Sequence, residues 1–217
     1  CHEYNNISNP DSVEKIHKAY IEAGADIIQT NTYAAKKCQL KTYGYEDKFE
    51  EINIRAAEIA RKAAGDNTIV FGTIGAIRGL RECELSLKTI VNETLDQVKV
   101  LLSTDKIDAL LFETYYDQEE IRTVLTEVRK LTDLPIITNI SLLEAGITQN
   151  GEKVTDALST LVNLGADIVG LNCHLGPYHM IKSLKQVPLF AQSYLSAYPN
   201  ASLLQLTQTI NGNEYRF

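Results

Sequence analysis

Two hydrophobic patterns alternate along this chain. Segments with apolar residues at helical spacing are each followed by a short, continuous apolar run, which is typical of a strand buried on both faces. The helical spacing predicts helices over 10–23, 46–64, 87–103, 117–131, 152–164 and 177–185. The apolar runs predict strands over 26–31, 68–75, 108–114, 134–141, 165–173 and 187–193. The pattern therefore predicts an α/β fold built on one parallel sheet.

A repeated phrase narrows the architecture. EAGADIIQTN (22–31) recurs as NLGADIVGLN (163–172), with DKIDALLFET (105–114) as a looser copy. Repeated helix-turn-strand units favour a (β/α)8 barrel of the TIM type over a doubly wound sheet. Such a barrel has eight strands and six are predicted here, so we expect a single barrel domain over 1–217 that is incomplete at both ends. The polar tail NGNEYRF (211–217) is expected to end without the last strand.

Composition limits the classes of partner. With 217 residues and 44% hydrophobic content, the chain can bury one substantial core. A net charge of −7 argues against nucleic acid and membrane surfaces as partners, and no apolar run approaches the roughly 18 residues of a spanning helix. Four scattered cysteines without a CxxC pair are not a disulfide scaffold and favour the cytoplasm. Because residue 1 is Cys, we expect the natural start to precede it.

Polar residues end the predicted strands, where barrels of this kind carry their sites. Glu113 follows three apolar residues, so its carboxyl group is a candidate general base with a raised pKa or an anchor for a substrate ammonium group. The alternative is a carboxylate paired with a neighbouring basic residue. Asn31 and Thr32 end the first strand, and Asn172 ends the fifth. These uncharged groups suit a small polar ligand.

Cys173 also closes the fifth predicted strand. Its thiol is a candidate metal ligand or nucleophile, and the alternative is a buried core cysteine. His174 is adjacent, but neighbouring strand residues point to opposite faces, so the two would not bind one ion. The residues alone favour the structural cysteine, since a zinc site needs three or four ligands.

The segment GTIGAIRG (72–79) places three glycines just after a strand. Its backbone amides are candidates to approach a carboxylate or a phosphate closely. The alternative is a strand-to-loop turn that needs positive φ angles.

Five phrases, in this order, carry a resemblance to a known family: TNTY (30–33), GTIGAIRG (72–79), LLFET (110–114), GLNC (170–173) and SAYPNAS (196–202). Together they resemble the homocysteine S-methyltransferase family over nearly the whole chain. LFETYYD (111–117) and YPNAS (198–202) look most similar to the subtype fused to a methylenetetrahydrofolate reductase domain.

The resemblance implies a zinc-dependent barrel enzyme that transfers a methyl group to the thiol of homocysteine and gives methionine. Family members hold zinc through one cysteine of a GxNC motif and two of a GGCC motif. On that basis Cys173 is assigned as a catalytic zinc ligand, Glu113 as the residue that binds the substrate amino group, and Asn172 as a further substrate-binding residue. Asn31 and Thr32 are expected to bind substrate because they end the first predicted strand. GGCC is absent from the 217 residues, so we expect the other two ligands outside this sequence and no zinc site within it.

Two other functions stay open at this point. One is a metal-independent barrel lyase or aldolase with Glu113 as its base. The other is a non-catalytic barrel that binds a small amino acid. The methyl donor, whether a methylated folate, a sulfonium compound or a betaine, is also open.

Overall fold

One parallel sheet organises the protein. The computed structural model describes residues 1–79 and 83–200, together with the backbone of two strands at 205–209 and 212–216. The sheet contains β1 (Ile27–Gln29), β2 (Ile69–Gly75), β3 (Ala109–Tyr115), β4 (Ile136–Ile140), β5 (Ile168–Asn172) and β6 (Tyr194–Tyr198), hydrogen-bonded in sequence order. All five neighbouring pairs are parallel, and the sheet curls into an open half-barrel. The predicted α/β barrel fold is confirmed.

Helices alternate with these strands as the sequence predicts. The described helices are α1 (Asn5–Ser8), α2 (Pro10–Glu22), α3 (Lys37–Leu40), α4 (Phe49–Ala64), α5 (Leu87–Ser103), α6 (Gln118–Val128), α7 (Val154–Asn163) and α8 (Pro177–Leu184), with short 3-10 turns at Lys41–Tyr43 and Glu46–Lys48. Local chemistry fixes several starts: the Ser86 side chain accepts a hydrogen bond from the Thr89 amide, and Asp117 accepts one from Glu120. Within the described residues, no helix is both long and apolar enough to cross a membrane.

The core has two layers, one on each face of the sheet. On the inner face, Phe71, Ala109, Leu111 and Ile137 form a small apolar cluster. On the outer face, a larger cluster joins the sheet to its helices and includes Leu110 and Phe112. Successive residues of β3 thus face opposite layers, as strand geometry requires. Burial on both faces explains the continuous apolar runs in the sequence.

The predicted sixth strand, over 187–193, is wrong. Residues 188–193 form a connecting loop, and pairing with β5 begins only at Tyr194, which lies in register with Ile168. Pro188 has no amide hydrogen to contribute to a sheet ladder, and the true strand, YLSAY, is less apolar than the run before it. Gln192 and Ser193, the last residues of that predicted strand, therefore precede β6.

The C-terminal tail contains two strands that the sequence analysis does not predict. Two strands, β7 (Gln205–Thr209) and β8 (Gly212–Arg216), pair antiparallel with Gln205 opposite Arg216. They form a separate two-stranded sheet and add no strand to the six-stranded one.

Candidate active site

The carboxyl group of Glu113 is the candidate acid of the site. It lies on β3 opposite Gly75 of β2, on the same face of the sheet as Leu111. Burial raises the pKa of its carboxyl group to about 7, and no other cause contributes. Among the described residues, Glu113 forms no salt bridge. The alternative of a carboxylate paired with a neighbouring basic residue is therefore not what the described structure contains.

A cavity of about 700 Å³ opens beside Glu113. That volume is in the range of small-molecule sites. Its wall includes Thr30, Asn31, Thr32 and Tyr33 after β1, Thr73 of β2, Tyr198 of β6 and part of α2. The predicted residues Glu113, Asn31 and Thr32 thus line the same cavity.

The side chains of Asn31 and Thr32 already have partners within the protein. The Nδ2 atom of Asn31 donates to the carbonyl oxygen of His2 at 2.9 Å and to Oδ1 of Asn6 at 3.1 Å. The Thr32 hydroxyl donates to the carbonyl oxygen of Thr73 at 2.6 Å. Both residues therefore shape the wall of the cavity through internal hydrogen bonds.

Thr30, Thr32 and Thr73 lie close together, and counting their hydroxyl hydrogens shows which of the three hydroxyl groups lacks a partner. Thr30 Oγ1 accepts from the Thr73 amide at 2.9 Å, and the 2.6 Å contact between the Thr30 and Thr32 hydroxyls needs one donor. The Thr32 hydrogen is used on the Thr73 carbonyl, so Thr30 is that donor. The Thr73 hydroxyl itself is buried without a hydrogen-bond partner in the described structure. Of the three threonines, Thr73 has the hydroxyl without a partner in the described structure, and its residue type alone does not distinguish it from Thr30 or Thr32 in the sequence.

Tyr33 and Tyr198 also line the cavity, and the sequence analysis selects neither of them. Burial raises the pKa of both Tyr33 and Tyr198, and the nearby Glu113 carboxyl acts in the same direction. A hydrogen bond between the Thr114 hydroxyl and the phenol oxygen of Tyr33 lowers the pKa of Tyr33 and so opposes the effect of burial. Neither tyrosine lies in the last residues of a predicted strand, so the strand-end argument did not reach them.

Cys173 lies just beyond β5, with its side chain half-buried. Its φ angle is +59° and that of His174 is +54°, so both adopt the left-handed region. The prediction that the two residues alternate as in a strand is therefore wrong. The Cys173 amide donates to the carbonyl oxygen of Tyr198 at 3.0 Å, which attaches this turn to β6.

Both polar atoms of the Asn172 side-chain amide are hydrogen-bonded to another residue of this chain. Its Oδ1 accepts from the Thr114 amide at 2.8 Å, and its Nδ2 donates to the Thr114 hydroxyl at 2.8 Å. Its backbone carbonyl accepts from the Ser141 hydroxyl at 2.7 Å. The structure thus places Asn172 at the predicted edge, bound to a residue adjacent to Glu113.

The glycine-rich segment carries a carboxylate from within the protein. Glu120, at the start of α6, accepts hydrogen bonds from the amides of Ile77 and Arg78, both at 2.8 Å. Its side chain is buried beside the buried Lys36, and this cation together with the two amides works against the rise in pKa that burial causes. Gly72, Gly75 and Gly79 do not have positive φ angles, so the alternative of a positive-φ turn is wrong.

A metal site requires several ligands close together. Within the described ranges, no three residues of the types His, Cys, Asp or Glu are grouped so that they could hold an ion. Cys173 is half-buried at the edge where the sequence placed it. The described residues thus fit one ligand of a zinc site and do not form a complete one.

These features define an α/β barrel of the TIM type with a cavity that reaches the carboxyl ends of its strands. The family model described as homocysteine S-methyltransferase matches residues 1–216. The chain belongs to the homocysteine S-methyltransferase family, and the resemblance found in the sequence is confirmed.

Individual relatives agree with this assignment. The chain is 30% identical over 214 residues to a methionine synthase of Mycobacterium leprae (strain TN), covering 94% of this chain and 18% of that protein. It is 28% identical over the same length and with the same coverage to a methionine synthase of Mycobacterium tuberculosis (strain ATCC 25618 / H37Rv). The chain thus spans 18% of the length of these curated relatives.

A solved structure supports the fold. The metallated form of the homocysteine methyltransferase MmuM from Escherichia coli superimposes with a TM-score of 0.75 at 20% identity, covering 84% of this chain and 69% of that one. At this identity the likeness speaks for the fold alone.

Proposed function

We propose that this chain binds homocysteine and supports transfer of a methyl group to its thiol, which gives methionine. The observation that carries the proposal is Glu113, a half-buried carboxyl group without a basic partner in the described structure, in the wall of the cavity. Membership of the homocysteine S-methyltransferase family supports the same reaction.

Glu113 is proposed to bind the substrate amino group. A carboxylate that is partly withdrawn from water and lacks a counter-ion is destabilised, which is why the pKa of Glu113 rises to about 7. A substrate ammonium group placed beside it would favour the charged form and return the pKa toward its ordinary range. The amino acid head would be fixed at β3, so that the sulfur end extends toward the other strand ends.

Thr73 is proposed to take part in the same recognition. Its buried hydroxyl has no partner in the described structure and lies on the cavity wall. An unsatisfied buried hydroxyl costs free energy, which a polar group of the ligand would recover. The free donor and the free carboxyl together suit a small zwitterion.

Cys173 is proposed to supply one ligand to a zinc ion, with the other ligands contributed by sequence outside these residues. The family resemblance and the position of the thiol after β5 support this assignment. When bound, zinc stabilises the thiolate form of a coordinated thiol and so makes it nucleophilic at neutral pH. The residues described here contribute the thiol, the substrate-binding acid and the cavity.

Two other functions are less well supported. A lyase or aldolase would use Glu113 as a base, but the family match favours methyl transfer. A non-catalytic barrel would bind the amino acid without turnover. A fused reductase domain and a cytoplasmic location stay predictions, and the identity of the methyl donor stays open.

The test uses the full-length protein supplied with zinc. Homocysteine is incubated with each candidate methyl donor, and methionine is measured by mass spectrometry. We expect methionine with at least one donor, and we expect Glu113→Gln to raise the homocysteine KM at least tenfold, since the ion pair is lost.

Two results would contradict the proposal. One is the absence of methionine with every donor although homocysteine binds, which indicates a binding protein. The other is an unchanged homocysteine KM in Glu113→Gln, which removes Glu113 from substrate recognition.

A further inference from the structure

The side chain of Asn172 connects two strands that are not neighbours. Its amide holds both the backbone amide and the hydroxyl of Thr114, a residue 58 positions away in sequence. Thr114 belongs to β3 and Asn172 to β5, and β4 lies between them. The two hydrogen bonds therefore span the sheet past an intervening strand.

The backbone is left-handed at one end of this connection and at the residue next to the other end. Thr114 has a φ angle of +64°, and the pairing of β3 with β4 shifts register between Phe112 and Tyr115. Cys173, next to Asn172, has a φ angle of +59°. Left-handed backbone is unfavourable for a β-branched residue, and it persists where surrounding contacts impose it.

These two turns carry the chemical groups of the site. Glu113 immediately precedes Thr114, and Cys173 immediately follows Asn172. Asn172 is nearly fully buried, and its carbonyl is fixed from β4 by the Ser141 hydroxyl. A change in the Asn172–Thr114 bridge, meaning these two hydrogen bonds, would therefore move the acid and the thiol relative to each other.

We propose that Asn172 is a positioning residue that sets the placement of Glu113 relative to Cys173 by clamping Thr114. This deepens the proposed function, on which its catalytic consequence rests, and it replaces the direct substrate contact expected for Asn172 from the sequence. The carboxyl group and the thiol are thus held by one rigid connection through the sheet.

Hydrogen–deuterium exchange tests the bridge without reference to activity. In the full-length protein, Asn172→Ala is expected to increase exchange about tenfold in peptides covering 112–116, on the distant strand. Thr114→Val removes only the hydroxyl and is expected to increase exchange severalfold over 171–175. The matched control is Thr94→Val, because that buried hydroxyl donates only to the Ile90 carbonyl of its own helix. It should change neither region. Effects confined to the strand that carries each substitution would overturn the proposal.

Steady-state kinetics then tests the consequence for the site. Asn172→Ala and Thr114→Val are each expected to raise the homocysteine KM, with the methyl-donor KM unchanged. Because both remove one bridge, the double variant should be no worse than Asn172→Ala alone. Multiplying effects would indicate a direct substrate contact by Asn172, and an unchanged KM with lowered stability would indicate a purely structural role. Either result overturns the proposal.

Two further measurements keep the outcome decisive. If Asn172→Ala does not fold, the two Thr114 variants decide the question. Thr114→Ser keeps the hydroxyl and should match the wild type in exchange and in homocysteine KM, whereas Thr114→Val should not. Equal behaviour of the two variants would contradict the bridge. If the wild-type protein fails to methylate homocysteine, the proposed function falls, and the exchange measurement still tests the bridge by itself.

Discussion

The ring of Tyr33 lies directly over the backbone of Gly75. A Cβ atom built on Gly75 would lie 2.5 Å from Cε2 of Tyr33, well inside van der Waals contact. The Gly75 amide also donates to the Tyr33 carbonyl oxygen at 3.0 Å, and the Gly75 carbonyl accepts from the buried Lys36 side chain at 2.5 Å. Gly75 is needed for the space it leaves, since its φ angle is ordinary.

Gly75→Ala is predicted to move the Tyr33 ring along the cavity wall. A ring can shift more easily than backbone, so we expect a stability loss of about 1 kcal/mol together with a homocysteine KM raised about threefold to tenfold. Urea unfolding and steady-state kinetics measure the two effects. Gly176→Ala is the control, because a Cβ there has open space and the φ angle is −72°. A wild-type KM in Gly75→Ala would show that the ring position does not matter for binding.

Gly170→Ala is predicted to be far more damaging to stability. A Cβ atom on Gly170 would overlap the carbonyl oxygen of Ser196, which belongs to the backbone of β6. The neighbouring strand would have to move, so we expect a loss of about 3 kcal/mol or more, seen as a lower midpoint in urea. A loss no larger than that of Gly75→Ala would contradict the close packing of β5 on β6.

Thr73→Val is predicted to separate binding from stability. The change removes a buried hydroxyl without a partner, so stability should stay equal or rise by about 1 kcal/mol. The homocysteine KM should rise about threefold to tenfold, because the free donor on the cavity wall is lost.

Thr138→Val provides the matched control for that prediction. Thr138 is also buried with an unpartnered hydroxyl, and its neighbours across the sheet are Phe112 and Val169 of the outer cluster. It should gain similar stability with no change in KM. Equal KM values for both variants would remove Thr73 from substrate recognition.

The pH dependence of stability should carry the signature of Glu113. Its pKa is about 7 in the folded protein against 4.5 ordinarily, so the folded state binds this proton more tightly. The contribution of Glu113 to the free energy of unfolding therefore falls as pH rises between about 4.5 and 7, and it is constant above that range. Relative to Glu113→Gln, the wild type should lose about 1–3 kcal/mol between pH 4 and pH 8.

Urea unfolding of the wild type and of Glu113→Gln at the two pH values measures this difference. Other groups that titrate equally in the two proteins contribute equally to both free energies of unfolding, so their contributions cancel. A difference that does not vary with pH would show that Glu113 keeps an ordinary pKa. A difference of opposite sign would indicate a stabilised carboxylate instead.

Much of the fold could be predicted because burial on both faces leaves a direct mark on sequence. The first five strands appear as continuous apolar runs and were located within a few residues. The sixth was not, because 187–193 is the more apolar segment and the pairing strand begins at Tyr194. Local hydrophobicity does not report which residues a neighbouring strand will pair with.

The site was predictable only in part. Glu113 is a candidate acid because of its place at a strand end. For Cys173 the residues alone favour a structural role, and only the family resemblance predicts a zinc ligand. The Asn172–Thr114 bridge depends on a register shift in β3 and on positive φ angles at residues other than glycine. Neither feature has a sequence signal, because left-handed backbone is rare for threonine and cysteine and these residue types therefore predict ordinary strand backbone. The hydrogen-bond inventory that singles out Thr73 likewise requires three-dimensional distances.

Glu120 occupies the backbone amides of the glycine-rich loop that follows β2. The amides of Ile77 and Arg78 already hold its carboxylate, and Lys36 lies beside it. A phosphate arriving at this loop would meet occupied donors and a negative charge, and displacing Glu120 would leave a buried carboxylate without its hydrogen bonds. The backbone amides that the glycine-rich sequence offers to an external anion are thus already used by a carboxyl group of the protein itself.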